Sequence, residues 1–172
     1  MPKRVSLEDM LTVADPQTQF DWALWLPQIP GTSFTTRDFT FRCTGTQVPA
    51  VSQEEFMIEA QGLVFQRPGR RMWDKKLDVT MFETRDGVGR KLIEQWMDYV
   101  RDIKTNTGNY FADYAVTGEL NLYDAPGNIT QRIALEAFYP LSIGTATLDN
   151  TSALMTYSVN FSYDRTKSLS VS

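Results

Sequence analysis

The amino-acid sequence predicts an α+β fold, mainly β: an antiparallel β-sandwich or partial barrel with one flanking helix, in a single domain spanning 1–172. Three observations predict it. Several segments alternate apolar and polar residues with the period of a strand, most cleanly Ala153–Asp164. Only one long stretch, Val88–Ile103, carries an apolar stripe at helical spacing. Strong turn signals, such as Asp124-Ala-Pro-Gly-Asn128, separate the strand-like segments.

Taken in chain order, residues 5–14 read as a short helix, with Ser6 as N-cap, Leu7, Met10 and Leu11 on one face, and Pro16 as its stop. Phe20–Leu26 reads as a strand closed by Pro27 and Pro30-Gly31. Arg37–Thr44 alternates, with Phe39, Phe41 and Cys43 on one side, and is expected to be a strand ended by Val48-Pro49. Residues 50–72 are apolar without clean alternation. They are expected to form a long hairpin or arm, with Arg67-Pro-Gly-Arg-Arg71 as a turn. Lys76–Phe82 is a strand with Leu77, Val79 and Met81 on one face.

The helix over 88–103 presents Leu92, Trp96, Tyr99, Val100 and Ile103 to a core and a charged face to water. Asp86 is its expected N-cap and Asn106–Gly108 its stop. Val116–Tyr123 and Ile129–Phe138 are strands, and Pro140–Asp149 is expected to connect onward. In the last strand Met155, Tyr157, Val159, Phe161 and Tyr163 face a core, while Thr156, Ser158, Asn160 and Ser162 make a polar, nearly uncharged face. The tail, 165–172, is small and polar and expected to be flexible.

Composition removes most chemistry. The chain has no histidine and a single cysteine, Cys43, so no Ser-His or Cys-His pair and no internal disulfide can form. Cys43 alternates with two phenylalanines and reads as a small buried hydrophobe. The carboxylates Asp98 and Asp102 fall on the polar helix face, where solvent is their expected partner. Gly87-Val-Gly89 lacks both the third glycine of a dinucleotide loop and the Lys-Ser/Thr of a phosphate loop, and reads as a turn into the helix. No cofactor and no metal site is expected.

A net charge of −4 argues against a phosphate-gripping protein. The cluster Arg67, Arg70 and Arg71 therefore reads as a match for an acidic patch on a neighbouring subunit rather than as a nucleic-acid site. No apolar run is long enough to span a membrane, and Lys3-Arg4 is not followed by the apolar segment of a signal peptide.

Several segments together resemble the tail tube proteins of contractile-tailed bacteriophages. They are Phe39-Thr-Phe-Arg-Cys-Thr-Gly-Thr-Gln-Val-Pro49; Trp73-Asp74 leading into Leu77-Asp-Val-Thr-Met-Phe82; the helix with Leu92 and Trp96; Leu7-Glu-Asp-Met10; and Ala137-Phe-Tyr-Pro140 before the final strand. The resemblance runs over about residues 7–165 and departs from the family pattern mainly in the arm.

It implies a non-enzymatic virion subunit, assembled in the host cytoplasm, that forms stacked hexameric rings. Its implied partners are further copies of itself, the tail sheath, baseplate and tail terminator proteins, a tape measure protein in the lumen, and DNA passing without specific binding. The arm, with Phe56, Ile58, Leu63, Phe65, Arg67, Arg70 and Arg71, is then the expected inter-subunit element. The face with Thr156, Ser158, Asn160 and Ser162 suits a wet lumen, because clustered lysines or arginines there would hold phosphates. The alternatives are a tube protein of a contractile secretion system or bacteriocin, or a small β-barrel ligand-binding protein.

Overall fold

The computed structural model describes residues 21–146, 148 and 153–170; the helix expected over 5–14 lies outside them. The described residues form strands β1 (Trp22–Trp25), β2 (Cys43–Thr46), β3 (Val51–Ala60), β4 (Leu63–Trp73), β5 (Lys76–Phe82), β6 (Val116–Tyr123), β7 (Ile129–Ile143), β8 (Thr156–Ser162) and β9 (Arg165–Leu169). Helices α1 (Thr36–Arg42), α2 (Val88–Val100) and α3 (Phe111–Tyr114) complete them. Every strand pairing is antiparallel.

The long strand β7 joins two sheets. Up to Phe138 it pairs with β6, which in turn holds β1, while β9 pairs along its other side from Arg132 to Glu136. From Tyr139 to Ile143 it pairs with β8, which leads to β5 and β2. The change falls at a bulge where Ala137 takes a left-handed φ of 58°. An extra residue there bends the strand and re-aims it, as bulges do at sheet corners. β7 therefore continues through Pro140 and Ser142, where a connector was expected. Proline survives in a strand where its missing N–H faces away from the ladder.

The core lies between the two sheets and α2. Trp96, Phe138 and Phe161 are its centre: Phe138 stacks on Phe161 at 4.5 Å, and Trp96 meets both rings at 6.4 and 6.0 Å. Leu92, Ile93 and Trp96 are fully buried, so the helix stripe is oriented as the spacing predicts up to Val100. The helix ends there: Arg101 bridges Gly108, and Ile103 is exposed rather than part of the stripe. Asp102 instead accepts the backbone N–H groups of Lys104 and Thr105, closing a turn.

At the other end of α2 the N-cap position is Gly87, with φ 66°, rather than Asp86. Glu83 serves two of the free helix amides, accepting from Gly89 N at 2.9 Å and Arg90 N at 2.7 Å, and Asp86 Oδ1 accepts from Val88 N at 3.4 Å. A negative group there meets two of the orphan donors and the positive end of the helix dipole. Glu83→Gln is expected to lower stability by about 1 kcal/mol in urea unfolding; an unchanged midpoint would show that the cap contributes nothing.

Two further expectations are corrected. Thr36–Arg42 is a helix, not the start of a strand, because Thr35 and Asp38 form a capping box: Thr35 Oγ1 accepts from Asp38 N, and Asp38 Oδ2 accepts from Thr35 N. Phe39 is consequently buried while Phe41, two residues on, is exposed. The flexible tail expected from 165 does not hold for Arg165–Leu169, which form β9; Trp73 Nε1 also donates to Thr166 Oγ1 at 3.2 Å.

Candidate functional site

The arm is a two-stranded ribbon. Gln61 and Gly62 sit at its tip with φ of 51° and 79°, the pair of left-handed residues that a two-residue hairpin turn needs. The segment Arg67–Arg71, expected to be a turn, lies inside β4 instead. Gly69 and Arg70 form a bulge opposite Glu54, and Arg70 and Arg71 fall towards the base of the ribbon. β3 and β4 pack on one another and are exposed along almost their whole length.

Register decides what the ribbon displays. Phe56 pairs with Arg67, Ile58 with Phe65, and Ala60 with Leu63, so these six side chains share one face. Phe56 is 49% exposed, Ile58 44%, Leu63 62% and Phe65 43%. Arg67 lies over the Phe65 ring, 6.0 Å from its centroid. The structure thus brings Phe56, Ile58, Leu63, Phe65 and Arg67 together on one apolar face with a cation at its edge. Arg70 and Arg71 do not join it. Arg70 is held within the chain by Glu54, 2.9 Å away, and Arg71 stands opposite Gln53 beyond the bulge. The sequence reading overlooked the second face, where Glu55, Met57 and Glu59 alternate along β3 opposite Pro68, Gln66 and Val64. The alternation of Glu55 through Glu59 was the available signal.

The second surface is the outer face of the sheet β7-β8-β5-β2. Along β8, Tyr157, Val159 and Phe161 are buried, while Thr156 and Ser158 are exposed and Asn160 and Ser162 half-buried. Thr80, Asp78 and Lys76 of β5 stand opposite Ser158, Asn160 and Ser162 on that same face. The face is therefore hydroxyl and amide, with Lys76 and Asp78 as its charges on these two strands, of opposite sign. Among the described residues, β1, β2 and β9 each pair on one side only. Such edges invite strand addition from another chain.

No three of Asp, Glu or Cys among the described residues converge as a metal site requires. Burial pushes the Cys43 thiol up to about 12, so the reactive thiolate is scarce at neutral pH. Native protein is expected to react with iodoacetamide at pH 8 at least about tenfold more slowly than urea-unfolded protein; equal rates would show the thiol to be free. No described helix is long and apolar enough to cross a membrane.

Residues 15–168 match the family described as phage tail tube protein. The chain is 25% identical over 140 residues to the tail tube protein of Serratia phage KSP90, covering 77% of this chain and 76% of the relative. Among solved structures, the tube-terminating cap of the anti-feeding prophage superposes with a TM-score of 0.68 at 13% identity, covering 92% of this chain and 94% of the other. A chain of the extended sheath-tube complex of an extracellular contractile injection system superposes with a TM-score of 0.58 at 13% identity, covering 98% and 100%. At such identities these two likenesses concern the fold.

Proposed function

Because the chain belongs to the phage tail tube protein family and is a structural subunit rather than an enzyme, we propose that it assembles as hexameric rings stacked into a tube, the channel for DNA passage into the host. The observation that carries this reading is the β3–β4 ribbon, whose apolar face stands roughly half exposed among the described residues. An apolar ribbon standing in water is costly, and a neighbouring ring removes that cost. The one-sided strands β1, β2 and β9 support lateral closure, since a ring pairs edges that a monomer exposes. The ring size of six follows the family resemblance.

The hydroxyl-rich face of β5 and β8 then lines the lumen, where a nearly neutral wall lets DNA and a tape measure protein pass without being held. The outer wall meets the sheath, and the ends of the tube meet baseplate and terminator proteins.

Negative-stain electron microscopy of purified protein tests the assembly, and rings or tubes are the expected image. Light scattering that reports only monomer at high concentration, even with tail components added, would overturn it. The lumen assignment has its own test. Ser158→Lys/Asn160→Lys tubes are expected to retain DNA at low salt and release it as salt rises, whereas wild-type tubes retain little. Equal retention by both would move the lumen to another face.

A further inference from the structure

We propose that the acidic face of the ribbon, Glu55-Met57-Glu59, docks into a basic cleft at the base of the ribbon on a second copy of this chain. The proposal rests on the tube reading above and names the contact that joins successive subunits.

The cleft has a volume of about 420 Å³, and its lining includes Met72 and Trp73. Four cations line it, two of which are already engaged: Arg70 by Glu54 and Arg165 by Glu136. Arg71 and Lys75 form no ion pair among the described residues, against one unpaired lining carboxylate, Asp164. Met72 is 42% exposed, so the lining offers apolar surface between the charges.

The complementary pattern runs along β3 from its middle towards the tip. Glu55, Met57 and Glu59 occupy alternate positions on one strand, and so share the face opposite Phe56 and Ile58. Both carboxylates are exposed and form no ion pair among the described residues. Two acids and a methionine on the ribbon thus match in kind the two unpaired cations and the apolar Met72 and Trp73 of the cleft.

The occupant must be another molecule. A paired β-ribbon rises about 3.3 Å per residue, which places Glu59 roughly 26 Å from Val51 at the base. A ribbon hydrogen-bonded along its length cannot fold back into the cleft at its own root. The contact joins two different patches, so it is head-to-tail and can run from copy to copy, as a stack requires. It also leaves the Phe56–Phe65 face free for a second contact, so that one arm touches its surroundings on both sides.

Charge reversal tests this. Glu55→Lys/Glu59→Lys and Arg71→Glu/Lys75→Glu are each expected to raise the critical concentration for tube formation at least about tenfold. All four substitutions together are expected to restore it to within about threefold of wild type, because the pair of charges is re-formed with inverted sign. Far-UV circular dichroism confirms that each variant is folded, and the wild-type threshold should rise with salt. Normal assembly by either double variant overturns the docking while leaving the tube reading intact. Failure of the folded quadruple variant to recover overturns it as well. A wild-type protein that never assembles removes the tube reading and the docking with it.

Discussion

Trp96→Ala is expected to destabilise the subunit by about 3–5 kcal/mol, the largest single-residue effect anticipated in this chain. The side chain is fully buried, touches the rings of Phe138 and Phe161, and donates from Nε1 to the Tyr114 carbonyl at 3.1 Å. Truncation opens a cavity where α2 meets both sheets, since Phe138 lies on β7 and Phe161 on β8. It also leaves the Tyr114 carbonyl without that donor, which adds a desolvation cost. For a chain of this size the melting temperature should fall on the order of 10 °C. Trp96→Phe keeps ring contact but loses the hydrogen bond, and should cost about half as much. Thermal unfolding by circular dichroism reads both. An unchanged midpoint for the alanine variant would mean that α2 does not anchor on this aromatic cluster.

That helix was legible because its signal is local and redundant: an apolar stripe, a polar face and a stop. Strands β5 and β8 were legible for the same reason, each alternating without interruption, and β6 was marked by the turn signal that follows it. The failures have physical causes. Thr36–Arg42 holds aromatic residues two apart, which mimics a strand. The capping box at Thr35 and Asp38 outweighs that pattern by starting a helix, and four-residue spacing then places Phe39 and Cys43 on one side. Pro140 reads as a stop, yet β7 passes through it because the strand has just left β6 and gained β8. No local pattern encodes such a change of partner. β9 likewise takes its structure from β7 rather than from its own small, polar residues.

The assembly surfaces were legible as lists of residues but not as geometry. The polar face of β8 follows from period two alone. On the arm, placing the turn at Arg67–Arg71 instead of Gln61-Gly62 put three arginines at the far end. Register returns Arg70 and Arg71 to the base, where one meets Glu54 and the other lines a cleft with Lys75. Where Met57 interrupts the alternation, turn chemistry is the remaining guide to register, and a Gln-Gly turn is a weaker signal than Pro-Gly. The free edges of β1, β2 and β9 depend on sheet order, which a single chain's pattern does not carry.

Excising the arm should separate folding from assembly. Replacing residues 54–70 with Asn-Gly closes the hairpin next to the Gln53–Arg71 pair, so the stub keeps a favourable two-residue turn. The removed segment packs on itself and supplies none of the buried core, so stability should change by less than about 1 kcal/mol. Assembly should change far more. Phe56, Ile58, Leu63 and Phe65 are each roughly half exposed, and covering the remainder is worth about 1 kcal/mol apiece. Loss of about 4 kcal/mol per arm weakens each contact about a thousandfold, and every subunit in a ring loses its own arm. Folded subunits that form at most single rings are therefore expected by circular dichroism and electron microscopy. Full-length tubes from the excised protein would show that rings stack through another surface. Loss of the folded signal would show that the ribbon supports the core.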